Sequence, residues 1–128
     1  MKGFNREDSS ILGFITLCYS MQAITNEEFK EYFYSLIKSS DVDELPDYIW
    51  DLIEFINPDM ADIYNVIGFV PSSNLTDDEI NAIYGITLKR FGRFFDMFIT
   101  EGKAIELLNN NPKVSSLFKT LFPFVHFY

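Results

Sequence analysis

Apolar residues recur along this chain at intervals of three and four, the spacing of helices that bury one face. Phe29, Phe33, Leu36 and Ile37 form one stripe, and Ile49, Leu52, Ile53 and Ile56 form another. Ile80, Ile83, Tyr84, Leu88, Phe91, Phe95 and Phe98 form a third, long enough for a helix of about 36 Å at 1.5 Å per residue. Polar residues mark where helices begin. In Ile24-Thr25-Asn26-Glu27-Glu28-Phe29, Thr25 can cap the free amides and Glu28 can bond back, with Ile24 and Phe29 as a hydrophobic staple. Thr76, Glu79, Leu75 and Ile80 repeat those roles, and Asn111-Pro112 is a third start, with Asn as cap and Pro in the first helical position. Residues 63–70 are ambiguous, since Val66 to Val70 can also run extended, and Pro71-Ser72-Ser73-Asn74 is a loop. The pattern predicts helices over 9–22, 25–39, 46–56, 59–67, 76–99, 101–109 and 112–121. That is an all-α bundle of about six or seven helices, in a single domain over residues 1–128.

Glycine modifies the longest helix. Gly85 and Gly92 lie seven residues apart on one side of it, each costing about 1 kcal/mol relative to Ala. They mark either close helix packing or a break near Gly92. The apolar run Ile11 to Tyr19 has the look of a secretory core. Glu7 and Asp8 cancel the charge of Lys2 and Arg6 ahead of it, Met21 fills a position that cleavage reserves for a small residue, and nine residues are too few to span a bilayer. It reads as the first core helix.

Composition narrows the chemistry. Hydrophobic residues make up 48% of the chain, too many for a disordered segment. One Cys and one His leave no zinc motif of the usual type and no intramolecular disulfide. Cys18, inside an apolar run, reads as a reduced core thiol suited to a reducing cytoplasm. Asp41-Val42-Asp43 starts like a calcium loop, but Leu45 and Pro46 stand where a ligand and a Gly are required. No Gly-rich phosphate loop and no Gly-x-Ser-x-Gly elbow is present. The expectation is a protein without catalytic residues, metal or cofactor. The apolar tail from Leu121 to Tyr128 is expected to pack on the bundle, with His126 packed or half-exposed.

Charge gives the chain its direction. The formal net charge is −9, which disfavours general nucleic-acid binding and favours a basic protein partner. Between Lys38 and Lys89 there are 11 acids and no base; the rest of the chain carries +2. On the helix after Pro46, Asp47, Asp51 and Glu54 fall within about 60° of one another at 100° per residue. Tyr48, Ile49, Leu52, Ile53, Phe55 and Ile56 take the opposite arc, and Trp50 lies at the seam beside Glu54. Such a face is either an ordinary solvated one or, since solvated faces normally mix signs, a docking surface for a basic partner. The predicted members of that surface are Asp41, Asp43, Glu44, Asp47, Asp51, Glu54, Asp59 and Asp62, with Trp50 and Tyr64 as aromatic anchors. Asp77, Asp78 and Glu79 sit in a first helical turn, where acids serve the helix dipole. Lys89, Arg90 and Arg93 form a small basic group on the long helix.

Residues 24–67 resemble the small acidic immunity proteins that neutralise bacterial nuclease toxins, such as those of DNase-type colicins and pyocins. Thr25-Asn26-Glu27-Glu28-Phe29 is similar to the family's Thr-Glu-x-Glu-Phe-like helix start, and Asp41 to Glu54 to its acidic second helix. Asn57-Pro58-Asp59-Met60-Ala61-Asp62-Ile63-Tyr64-Asn65 is similar in outline to its His-Pro…Asp-Leu-Ile-Tyr-Tyr-Pro helix. Asn57 stands for the His and Asn65 for the second Tyr, so only Tyr64 carries over. The family is shorter and lacks the Phe-rich C-terminal part, which points to the broader class of polymorphic-toxin immunity proteins, including those of contact-dependent growth inhibition. The resemblance implies a cytoplasmic, non-catalytic protein, monomeric when free. It would bind one toxin domain with a basic surface in a 1:1 complex, touching neither nucleic acid nor membrane directly. A second expectation is an acidic nucleic-acid mimic that inhibits a DNA- or RNA-binding protein without any cognate toxin.

Overall fold

Helix starts and stops written in the sequence set most of the architecture. The computed structural model describes residues 1–92 and 97–126. Seven α-helices follow one another, with one 3-10 turn and no strand among the described residues. They are α1 (Ser10–Ser20), α2 (Asn26–Ser39), the 3-10 turn Val42–Glu44, α3 (Tyr48–Glu54), α4 (Met60–Ile67), α5 (Asp77–Phe91), α6 (Glu101–Asn110) and α7 (Pro112–Leu121). The fold is all-α, as the hydrophobic period predicts. No described helix is long and apolar enough to cross a membrane. Two compact units make up the chain: Met1–Ser20 with Thr25–Asn74, and Met21–Ile24 with Leu75–Tyr128.

The first unit holds α1 to α4. Helix α1 buries Leu12, Phe14, Ile15 and Cys18 completely. Gly13 lies under the backbone of Ser72 and Ser73, where a Cβ would collide. The Ser72 amide donates to Ser9 Oγ at 2.9 Å, so the 71–74 loop is fastened across α1. Helix α2 begins with the predicted capping box: Thr25 Oγ1 accepts from the Glu28 amide at 3.2 Å, and the Thr25 amide donates to Glu28 Oε1 at 2.8 Å. Its buried face is Phe29, Tyr32 and Phe33, with Phe33 meeting both neighbours edge to face. Leu36 and Ile37, assigned to that stripe, are only half-buried.

Helix α3 is shorter than the predicted 46–56. Ile49 and Leu52 are fully buried, but Phe55 is extended (ψ 145°) and Ile56 is 84% exposed. The cause lies just beyond: a residue before proline is driven out of the right-handed helical region, and Asn57 before Pro58 takes φ 48°. Helix α4 follows at once. Asp59 Oδ1 accepts from the Asp62 amide at 2.8 Å, and the Asp59 amide donates back to the Asp62 carboxylate. Gly68, at φ 87°, stops α4 and donates its amide to the Tyr64 carbonyl. The ambiguous 63–70 stretch is thus helix to Ile67 and irregular after it.

The second unit holds α5 to α7. Thr76 and Glu79 form the predicted reciprocal cap of α5. The two glycines divide the roles the sequence left open. A Cβ on Gly85 would lie 2.7 Å from the Ala104 carbonyl oxygen and 2.7 Å from Leu108 Cβ, so Gly85 lets α5 and α6 approach closely. Gly92 has open space around it; at φ 83° it terminates the helix, donating its amide to the Leu88 carbonyl at 2.8 Å. The predicted helix over 76–99 therefore ends at Phe91, after fifteen residues, a length of about 22 Å. Phe98, counted in its apolar stripe, is 91% exposed; Arg93 and Phe95 lie outside the described residues.

Asn111 does not cap α7 with its side chain. Its amide nitrogen donates backward to the Leu107 carbonyl at 2.8 Å, closing the end of α6, while Pro112 opens α7 without needing a donor. The tail packs through Phe122, fully buried and 4.9 Å from Phe118, and through Val125. His126, expected packed or half-exposed, is instead exposed, one residue past the buried Val125, and Phe127 and Tyr128 lie outside the described residues. Segment 21–24 is tied to α5 by the Thr87 hydroxyl, which donates to the Met21 carbonyl at 2.8 Å, and by Arg90, which donates to the Ala23 carbonyl at 2.7 Å.

Candidate functional site

The eight predicted acids, Asp41, Asp43, Glu44, Asp47, Asp51, Glu54, Asp59 and Asp62, all belong to the first unit and all are exposed. Ion pairs among the described residues join Lys103 to Glu106 and Lys113 to Glu79; none involves these eight. The division of the chain sharpens the charge pattern. The first unit contains 13 acids and four bases, the second six of each. The entire net charge of −9 therefore resides in the first unit.

Local structure separates the eight into two groups. Asp41 accepts from the Asp43 amide at 3.2 Å and caps the 3-10 turn, which replaces any calcium-loop geometry. Asp59 and Asp62 cap α4 reciprocally. Those three acids have a structural task. Asp47 precedes α3 without making a side-chain cap. Neither it nor Asp43, Glu44, Asp51 or Glu54 shows a side-chain hydrogen bond or ion pair among the described residues. On α3 the acids and Trp50 share one side while Ile49 and Leu52 face the core. Trp50 is 40% exposed, an amount that leaves one part of the indole anchored and the other free.

Tyr64 is half-buried, and burial pushes its phenol above the ordinary value. It stands about 200° around α4 from Asp62 at 100° per residue, so α4 does not present its acids and Tyr64 together. Asp59 lies close enough to Tyr19 for its charge to add to burial in raising that phenol; the Tyr19 hydroxyl donates to the Pro58 carbonyl at 2.9 Å. Two apolar members of the surface escaped the sequence reading. Val42, 61% exposed, sits between Asp41 and Asp43, and Ile56 closes the same stretch. Periodicity placed Ile56 in the core, and the proline two residues on was the signal that it is not.

Cys18 is fully buried, and burial pushes its thiol well above the ordinary range, which suppresses the reactive thiolate. Among the described residues, no three His, Cys, Asp or Glu side chains gather where they could hold a metal ion. In the second unit Glu79 is held low by the Thr76 amide and by Lys113, as its capping role requires. Arg90 spans Ala23 and the Phe91 ring, 4.7 Å away, so this one member of the predicted basic group has structural work of its own; Lys89 is exposed and Arg93 lies outside the described residues. Compared with protein-family models, with curated proteins and with solved structures, the chain matches none of them.

Proposed function

We propose that this protein is a non-catalytic inhibitor of a basic protein, and specifically an immunity protein that binds and neutralises a bacterial toxin domain of the nuclease kind. The observation that carries this reading is the surface of α3 and the preceding turn. Five exposed carboxylates without a local cation lie on α3 and the stretch before it, close in sequence to a half-exposed tryptophan, in the unit that holds all the net charge. Unneutralised acids repel one another and contribute nothing to the fold; they gain energy when a cationic surface meets them. A nuclease must be cationic where it holds nucleic acid. Long-range attraction then orients the encounter, and burial of Trp50 fixes the complex. The similarity of residues 24–67 to nuclease-toxin immunity proteins supplies the choice of partner.

The test is co-expression with a basic nuclease toxin domain, sought in the reading frames that neighbour this chain's own. The expected result is a 1:1 complex on size exclusion, loss of nuclease activity at stoichiometric inhibitor, and growth of cells that the toxin alone kills. Free toxin activity in the presence of excess inhibitor overturns the proposal.

A further inference from the structure

A groove of about 400 Å³ opens in the first unit where the N-terminal arm, the end of the 3-10 turn and the residue after Gly68 come together. That volume falls in the range of true ligand sites and exceeds a single side chain. Phe4 and Leu45 are buried beneath it, and Tyr48 and Phe69 form aromatic walls. The polar atoms of those walls are already used. The Tyr48 hydroxyl donates to the Phe4 carbonyl, and the Arg6 guanidinium donates to the Gly68 carbonyl at 2.6 Å. Two carboxylates on the lining, Glu7 and Glu44, are exposed and show no ion pair among the described residues. The groove is open and its lining part apolar, part polar, with Arg6 beside Glu7 and Glu44. Since Arg6 is already engaged and the two carboxylates are not, a side chain with an apolar stem ending in a cation meets both kinds of lining. The wall displays that chemistry within the chain itself, since Arg6 lies over the Phe69 ring 5.2 Å from its centre. Glu44 belongs both to this groove and to the acidic surface described above, so the two are continuous.

We infer that this groove is a socket for one lysine or arginine side chain of the partner protein, an inference that rests on the function proposed above and extends it to a defined contact. Arginine is the better fit, because its plane can stack on Tyr48 while its fork meets a carboxylate; the Phe69 ring is already covered by Arg6. The socket supplies a specific anchor next to a surface that otherwise attracts any cation.

The experiment is a chemical-shift titration of the full chain with acetyl-Gly-Arg-Gly-amide. The matching norleucine peptide tests apolar binding alone, and the glutamate peptide tests anion binding through Arg6. The arginine peptide should give saturable shifts centred on Leu45, Tyr48 and Phe69, with a dissociation constant on the order of 1 mM. The E7Q/E44Q variant, altered only at exposed side chains, should keep its helical spectrum and bind roughly threefold or more weakly. Equal binding of the norleucine peptide, stronger binding of the glutamate peptide, or no saturable shift overturns the socket. With the toxin domain in hand, E7Q/E44Q should shorten the complex lifetime. An unchanged lifetime in a complex that D47K/D51K abolishes overturns the socket and leaves the acidic-surface reading standing. Saturable arginine binding in a chain that inhibits no toxin upholds the socket chemistry and overturns that reading.

Discussion

Single residues carry two separable consequences here. Trp50 is held by α3 yet 40% exposed, so trimming it removes binding area without emptying a core. Trp50→Ala should leave thermal stability within about 1 kcal/mol while raising the dissociation rate from a basic partner by about thirtyfold or more, as a loss of 2 kcal/mol implies. Surface plasmon resonance beside a melting curve separates the two. Tyr32 makes a contrasting case. Burial holds its phenol up at about 12, against an ordinary 10.0, so the folded state favours the neutral ring. The unfolded chain loses that proton first. The contribution to stability is therefore complete below about pH 10 and disappears as pH climbs from 10 to 12. Denaturant midpoints followed across that window should fall, and Tyr32→Phe should fall less steeply.

Elements were legible where their grammar is local. Both threonine capping boxes could be read from four residues each, because the donor and acceptor lie within one helical turn. The failures have the opposite character. The end of α3 depends on a proline outside its apolar stripe, and Asn111 serves the helix behind it, whereas its sequence neighbours advertise the helix ahead. Gly13 gave no sign in the sequence, since the Ser72–Ser73 backbone that crosses it comes from about sixty residues away. The pair in α5 makes the distinction measurable. Gly85→Ala gains about 1 kcal/mol of helix propensity but drives a Cβ to 2.7 Å from a backbone oxygen, so it should destabilise by about 1–3 kcal/mol. Gly92→Ala meets no atom and costs only the left-handed conformation, about 1 kcal/mol. Equilibrium unfolding of the two variants should rank Gly85→Ala as the more damaging.

At the scale of the molecule, charge was partly legible and its location was not. The sequence divides into a segment of −11 and a remainder of +2, but that cut runs through α5. Folding assigns Asp77, Asp78 and Glu79 to the second unit, where bases balance them, and gathers Glu7, Asp8 and the α2 acids into the first. The result is one unit at −9 and one neutral unit. A basic partner approaching from solution should sense that asymmetry before any contact forms, because the field of exposed charge extends about 8 Å at physiological ionic strength and about 30 Å at 0.01 M. Reversing Asp47 and Asp51 to Lys changes the charged unit by +4 without touching a side-chain hydrogen bond or a buried residue. Association with a basic partner should slow by about tenfold at low ionic strength, and the rate should lose much of its dependence on salt. Lys89→Glu, at an exposed site in the neutral unit, adds negative charge and should leave association unchanged or slightly faster. Stopped-flow association rates at several salt concentrations measure both. If Lys89→Glu slows association and the double reversal does not, the docking surface lies on the second unit, and the carboxylates of α3 and the stretch before it are only a solvated face.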